Sequence, residues 1–156
     1  MNTVEAFSLD VTTKLVNAPF LALRLVAVGI MHSAVKVVTT TAKVTAAKKH
    51  RLATWLEARR VVHDIFNSQT SHPELMKRFT PVLNFLQTMN VLTVDHIAVV
   101  WKPTLANPEN TAVVSKVLED MARTMPSDQL EFLLDRLAAV PADKICTELV
   151  RSVWVA

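Results

Sequence analysis

The chain has 156 residues, 51% of them hydrophobic, which is enough for one domain that buries its own core. Its single glycine, Gly29, excludes all-β folds, P-loops, dinucleotide-binding fingerprints and nucleophile elbows, because their tight turns and phosphate cradles depend on glycine. The net charge of +3 conceals an asymmetry that bears on partners rather than on fold: residues 11–63 carry nine Lys and Arg against one acid, whereas eight bases face eleven acids from residue 64 onward.

Three helices are predicted in the first half of the chain. The first ends before Pro19, the second carries the apolar residues that follow it, and the third runs from about Thr45 to Phe66. The stretch of residues 18–38 is long enough and apolar enough to suggest a membrane span. Basic side chains interrupt them, however, and a charge at the membrane centre costs about 2.5–3.5 kcal/mol. A buried helix is therefore expected, and no transmembrane segment.

Prolines and capping residues divide the second half of the chain into further helices with short connections. Ser71 is predicted to cap the free amides of a helix that starts at Pro73. Pro81 lies inside the apolar stripe of that helix and is expected to kink or restart it. Further helix starts are predicted at Thr93, at Asn107-Pro108, at Pro126-Ser127 and after Pro141.

The second half also repeats itself. Three apolar residues recur at a spacing of 32, and residues 94–97 match residues 127–130 at a spacing of 33. A long helix, a tight turn and a second helix at this spacing are typical of helical-hairpin arrays. The expected fold is therefore an all-α solenoid of the armadillo or HEAT type, with seven or eight helices. The residues that recur are Val82, Leu86 and Met89, matched by Val114, Leu118 and Met121.

The apolar end of the chain bears on domain organisation. A terminal repeat needs a polar outer face, whereas residues 153–156 are apolar. Residues 1–156 are therefore expected to form a single helical-repeat domain that is a fragment of a larger protein. Cys146 has no possible disulfide partner, which favours a reducing, intracellular and cytoplasmic location.

Several short motifs occur together in the chain: Asn17-Ala18-Pro19-Phe20, Arg51-Leu52, Trp55-Leu56, the segment from Leu92 to Ile97, Trp101-Lys102 and the segment from Ser127 to Leu130. Together they resemble the non-catalytic helical region of one known family, the fat facets-type ubiquitin carboxyl-terminal hydrolases, which are very large deubiquitinating enzymes. The resemblance implies an armadillo-like scaffold that lies N-terminal to a separate protease domain.

No catalytic, metal-binding or cofactor-binding residue is assigned to this chain. Enzymes of the family it resembles use a cysteine in a glycine-bearing box, and Cys146 has no such box around it. Cys146 lies in phase with apolar residues and is interpreted as buried filler. The five histidines form neither an HExxH motif nor an i, i+4 pair. The acids between Glu109 and Asp143 are interpreted as solvated helix faces.

One group of basic residues remains as a candidate partner-binding surface, on the predicted third helix and the loop before it. It could bind an acidic protein face, phosphoinositide headgroups or nucleic acid, or it could be an ordinary solvated helix face. No aromatic residues are interleaved for base stacking, so nucleic acid is not the expected partner. The residues are Lys43, Lys48, Lys49, Arg51, Arg59 and Arg60.

Two functional hypotheses follow. The first is a protein-binding scaffold of a large deubiquitinase, which holds protein partners or substrates of the ubiquitin pathway near a cysteine-type catalytic domain elsewhere in the parent protein. In that hypothesis this chain is not itself an enzyme and needs no cofactor. The alternative is a basic helical module that binds nucleic acid or an anionic membrane surface. Salt separates the two, because phosphate contacts weaken steeply as ionic strength rises.

Overall fold

The computed structural model describes residues 3–67 and 70–144, and every regular element within these ranges is helical. The predicted all-α fold with seven or eight helices is confirmed over this part of the chain. The segment beyond Lys144, with Cys146 in it, lies outside the described residues. The α-helices are α1 (Thr3–Val16), α2 (Leu21–Thr40), α3 (Ala46–Ala58), α4 (Val61–Phe66), α5 (Pro73–Thr88), α6 (Val94–Trp101), α7 (Pro108–Ala122) and α8 (Ser127–Ala138); the 3-10 turns are Lys102–Leu105 and Ala142–Lys144.

The described helices pack in two layers. Helices α2, α5 and α7 lie side by side in one layer, and α1, α4, α6 and α8 follow one another in the second. Helix α3 contacts α2, α4 and α5, so it joins the two layers near the beginning of the chain. Apolar side chains from both layers form one continuous core, which includes Met31, Phe66, Leu83, Ile97 and Leu118.

The sequence repeat corresponds to two stacked helical hairpins. Helices α5 and α6 form the first hairpin and α7 and α8 form the second, with α5 against α7 and α6 against α8. The second helix of each hairpin begins at Val94 and at Ser127, which are 33 residues apart. The repeated Val and Leu positions of α5 and α7 are fully buried, so the same side chains perform the same packing role in both hairpins.

Helix α2 differs from the buried helix that the sequence predicts. One face packs into the core through Ala27, Val28, Met31 and Val35. The opposite face exposes apolar side chains to solvent, because no other described helix covers it. By length and composition α2 is the described helix that could cross a membrane. The exposed side chains are Leu23, Val26, Ile30 and Val37.

The third predicted helix is two helices. It breaks after Ala58, where Arg60 adopts a left-handed backbone conformation with φ of 56°. The Arg60 amide donates to the carbonyl of Glu57 at 2.8 Å, which is one of the two hydrogen bonds by which a left-handed residue closes a helix end. Glycine usually occupies such a position, and with no glycine or proline nearby the break could not be recognised in the sequence.

Helix α5 differs from the sequence predictions at two positions. It does not restart at Pro81 but continues through this exposed proline, so the backbone hydrogen bond that proline removes is lost at the surface rather than in the core. The cap is His72 rather than Ser71: the His72 Nδ1 accepts a hydrogen bond from the Glu74 amide at 3.2 Å.

Candidate functional site

The six basic residues predicted as a binding surface lie in three places along the chain. The last two stand at the end of α3, where the break before α4 begins. Lys43 lies in the turn before α3, three more lie in the first half of α3, and the remaining two lie at the break. The three on α3 are Lys48, Lys49 and Arg51, and the two at the break are Arg59 and Arg60.

Arg59 is engaged within the molecule. Its Nη2 lies 2.6 Å from Asp10 Oδ1 of α1, and its guanidinium stacks over the Trp55 ring at 5.4 Å from the centroid. Arg59 therefore ties the end of α3 to α1. Trp55 is half-buried beneath this guanidinium. Because Arg60 stands at the left-handed helix end, both arginines have a local structural role that the sequence did not indicate.

The basic residues of the first half of α3 face two directions. Lys48 and Arg51 are exposed and three residues apart, so they share one face of the helix, and Lys43 is exposed in the turn before it. None of these three forms an ion pair with the side chains that the structure describes, in residues 10–67 and 70–144. Lys49 is half-buried and faces α2 and α5.

Lys49 lines a groove between α2, α3 and α5, with a volume of about 370 Å³. Two further basic or titratable side chains, His32 and Lys36 of α2, line the same groove. None of the described residues that line it is acidic. The groove is thus positively charged above an apolar floor. Its remaining walls are Val35, Thr39, Pro81, Asn84, Phe85, Thr88 and Met89.

The start of α3 carries the opposite charge to the one a helix prefers there. Thr45 caps the helix by accepting a hydrogen bond from the Lys48 amide at 3.3 Å. The first turn then holds Lys48 and Lys49 and no acid. A cation near the positive end of the helix dipole is unfavourable, by roughly 0.3–1 kcal/mol each. Helix stability therefore does not explain the two lysines.

A histidine pair, with His96 buried and His63 half-buried, lies where α3, α4 and α6 meet. His96 is only 6% exposed, and its Nδ1 accepts a hydrogen bond from the Thr93 amide at 3.1 Å. Its Nε2 therefore carries the proton and lies 3.9 Å from Glu57 Oε1. The His63 ring lies edge-on, 5.5 Å from the His96 centroid. The lack of any histidine pattern in the sequence gave no sign of this pair.

The remaining candidates for chemistry form no cluster in the part of the chain that the structure describes. No three His, Cys, Asp or Glu side chains within it are placed to hold a metal ion. Two of the acids from Glu109 to Asp143 are bound to a neighbouring lysine: Lys116 Nζ lies 3.2 Å from Glu119 and 3.2 Å from Asp120, and these hydrogen bonds raise the pKa of Lys116. The role predicted for Cys146 lies outside the described residues.

A family model described as the UBP24/USP9X/USP9Y ARM repeat matches residues 2–143. The chain belongs to this family. The match spans all eight described helices, and it confirms the resemblance to large ubiquitin-specific proteases that the short motifs indicate. No curated protein and no solved structure is found to match the chain.

The ARM repeat domain is a non-catalytic region of these deubiquitinating enzymes. The helices of this domain fall into two parts. The first part, α1 to α4, is less regular, because a break separates the short helix α4 from α3. The second part is the regular pair of hairpins, α5–α6 and α7–α8, and the positively charged groove lies where the first part meets α5.

Proposed function

We propose that this ARM repeat domain is a protein-interaction scaffold within a large deubiquitinating enzyme. It holds protein partners or substrates of the ubiquitin pathway, while a cysteine-type catalytic domain elsewhere in the parent protein performs the hydrolysis, in a soluble intracellular setting. The family match over residues 2–143 carries this proposal. The layered packing of the helices supports it, because a stacked array buries its core between neighbours and leaves broad outer surfaces for partners.

Two measurements test the scaffold. The purified chain is incubated with ubiquitin bearing a C-terminal fluorogenic amide, beside an active thiol deubiquitinase as a positive control. We expect no release of the fluorophore by the chain, and turnover would contradict the proposal. Partners found by chemical cross-linking in cells are then purified and titrated against the chain by calorimetry. We expect saturable binding with a fixed stoichiometry, and the proposal fails if every purified candidate gives only linear, unsaturable signals.

A second function, binding to nucleic acid or an anionic membrane surface, rests on one observation. Lys43, Lys48 and Arg51 are exposed and form no ion pair within the described residues. Against it, Trp55, the one Trp, Tyr or Phe of α3, is half-buried and stacks with Arg59, so it offers no free ring for a base.

Salt dependence decides between the two functions. Oligonucleotide or vesicle binding that weakens steeply between low and physiological salt, and that disappears when Lys43, Lys48 and Arg51 are replaced by Gln, would favour the second function. Arg59 is left unchanged in this variant, because it is paired with Asp10 of α1 and stacks on Trp55 of its own helix. The scaffold predicts that the same variant binds oligonucleotides no differently from the unaltered chain.

A further inference from the structure

We propose that the groove between α2, α3 and α5 binds an extended acidic peptide segment of a partner protein, with one apolar side chain of the peptide seated on the groove floor. This inference rests on the proposed scaffold function, because it names the chemical class of one partner and the place where it binds. The groove was not among the features predicted from the sequence, although Lys49 was.

Charge is the first reason. Lys36 and Lys49 come from different helices and line the same groove together with His32. Neither lysine forms an ion pair with the side chains that the structure describes, in residues 10–67 and 70–144, and no described residue that lines the groove is acidic. Two positive charges that line one cleft focus a positive potential into it. This potential would attract the carboxylates of a bound peptide.

The groove floor is the second reason. Val35 is 4% exposed and Phe85 is 5% exposed, and Met89 lies half-buried beside them. These side chains form an apolar floor beneath the charged rim. A volume of about 370 Å³ is within the usual range of ligand clefts and leaves room for an apolar side chain. A purely anionic ligand would leave the floor uncovered.

The start of α3 is the third reason. Lys49 lies in its first turn, where the helix dipole favours an acid. An acidic side chain of a partner placed beside Lys49 would interact favourably both with the ammonium group and with the positive end of α3. A bound peptide thus supplies the negative charge that the first turn itself lacks.

The same features disfavour nucleic acid and lipid in this groove. Phe85, on the groove floor, is almost fully buried, so it cannot stack with a base. A membrane surface is flat on this scale and cannot reach a floor that lies between helices. An extended polypeptide can place single side chains there, which is how peptide recognition in grooves commonly works.

The test uses a twelve-residue fluorescein-labelled peptide in which eight glutamates flank a central Ser-Leu-Phe-Ser, followed by fluorescence anisotropy. The groove variant is Lys36→Glu/Lys49→Glu. The matched control is Lys14→Glu/Lys102→Glu, which changes the net charge equally but on α1 and on the 3-10 turn after α6. We expect the groove variant to bind the peptide at least about tenfold more weakly, and the control less than about twofold.

Two altered peptides complete the design. Replacing the glutamates by glutamines should abolish binding, and replacing Leu-Phe by Ser-Ser should weaken it severalfold. Equal weakening by the groove variant and its control would overturn the proposal, since attraction would then depend on net charge alone. Binding of the Ser-Ser peptide as tight as the parent peptide would overturn the apolar contact. A twenty-nucleotide single strand or phosphatidylserine vesicles that bind in preference to the peptide, and lose binding in the groove variant, would overturn the choice of a polypeptide.

Failure of this proposal can be told from failure of the scaffold. A purified protein partner that binds Lys36→Glu/Lys49→Glu as tightly as the unaltered chain overturns the groove and leaves the scaffold standing. If no protein partner binds the unaltered chain, the scaffold is wrong. Thermal unfolding checks each variant, and the single variant Lys49→Glu, which places an acid in the first turn of α3, should remain folded and still lose affinity for the glutamate peptide.

Discussion

At the scale of single residues, Arg24 shows how one buried cation joins three parts of the chain. It is 8% exposed, and its guanidinium donates to the carbonyls of Val16 at 2.8 Å, Thr70 at 2.6 Å and Asp64 at 3.3 Å. Burial lowers the pKa of Arg24, and the Asp64 charge partly opposes that effect. The Val16 carbonyl lies at the end of α1, the Thr70 carbonyl lies in the connection before α5, and the Asp64 carbonyl belongs to α4.

Replacing Arg24 by Met should therefore be costly. The Val16 carbonyl loses its donor in a buried place, and the Thr70 and Asp64 carbonyls lose theirs in partly buried ones, so we expect the free energy of unfolding to fall by about 3 kcal/mol. Urea unfolding measured by circular dichroism gives this quantity. Arg51→Met is the matched control, because Arg51 is exposed on α3, and it should change stability by no more than about 0.5 kcal/mol. Similar losses in the two variants would show that Arg24 does not hold these segments together.

The His63–His96 pair makes stability depend on pH. Burial is the main cause that lowers the pKa of both histidines. Positive Arg60 lowers the pKa of His63 further, while Glu57 and Asp95 partly oppose the shift at His96. A histidine in the unfolded chain has a pKa of about 6.5, whereas the two folded histidines take up a proton only at lower pH. Stability is therefore complete above that pH and falls as the pH drops from about 6.5 through the lowered folded pKa values.

Replacing His96 by Gln should flatten this dependence. Gln can still accept the Thr93 amide as a capping-box residue, but it cannot take up a proton. Urea unfolding between pH 7.5 and 5.5 should show a smaller loss of stability in His96→Gln than in the unaltered chain. His50→Gln, at an exposed position on α3, should leave the slope unchanged. An unaltered slope in His96→Gln would assign the pH dependence to other groups.

Helix caps show how far single residues can be predicted from the sequence. Asn107 before Pro108 was predicted to start a helix, and its Oδ1 accepts a hydrogen bond from the Asn110 amide at 2.7 Å. Ser71 was predicted in the same way, yet the ring nitrogen of His72 accepts instead. Ser71 and His72 are both possible acceptors, one residue apart. Which of them caps the helix is set by the backbone angles, and these depend on the preceding connection rather than on residue type.

At the scale of elements, Gly29 is a weak point in α2. It lies in the middle of the helix without a positive φ, and an added Cβ at this position would meet nothing within 4 Å. Gly29→Ala should therefore raise the free energy of unfolding by roughly 0.5–1 kcal/mol, because alanine loses less backbone entropy in a helix. Thermal unfolding measures the gain, and Ser33→Gly on the same exposed face of α2 should lower stability instead. A loss of stability in Gly29→Ala would mean that another molecule packs closely against this face in solution.

Helix boundaries were predictable only where proline or a capping side chain marks them. Pro73, Pro108 and Pro126 each stand at a helix start or next to one, as predicted. The break at Arg60 and the unbroken helix through Pro81 were not predictable in this way. In both cases the outcome depends on what surrounds the backbone: a left-handed residue is tolerated where its amide is paired, and a proline is tolerated where its lost hydrogen bond is exposed.

At the scale of the whole molecule, the periodic packing could be predicted and the groove could not. The spacing of 32 to 33 residues reflects local patterns of apolar side chains, and these dictate that hairpins stack. The charge asymmetry before residue 64 pointed to the half of the chain that contributes Lys36 and Lys49 to the groove. It could not show that Lys36 and Lys49 line the same groove, because this depends on how α2, α3 and α5 cross. That crossing is set by contacts between residues distant in sequence. For the same reason Arg59 was assigned to a binding surface although its partners lie within the molecule.

The two hairpins are linked by buried glutamines in a reciprocal arrangement. The Gln87 amide at the end of α5 donates to the Thr124 carbonyl in the α7–α8 turn at 3.4 Å. The Gln129 amide at the start of α8 donates to the Leu92 carbonyl in the α5–α6 turn at 2.9 Å. A glutamine of each hairpin thus binds the turn of the other hairpin, and both glutamines are nearly fully buried. These contacts lie at the seam, the interface where the two hairpins stack.

Replacing Gln129 by Ala should loosen this seam, and the location of the effect distinguishes an array from a single cooperative unit. The Leu92 carbonyl loses its donor in a buried place, which costs about 2 kcal/mol. In an array coupled only between neighbours, hydrogen exchange should then speed up in α7 and α8 far more than in α2. Glu131→Ala, exposed on α8, should leave exchange unchanged. If protection falls equally in α2, α5 and α8, the described helices unfold together, and nearest-neighbour stacking is not what stabilises this domain.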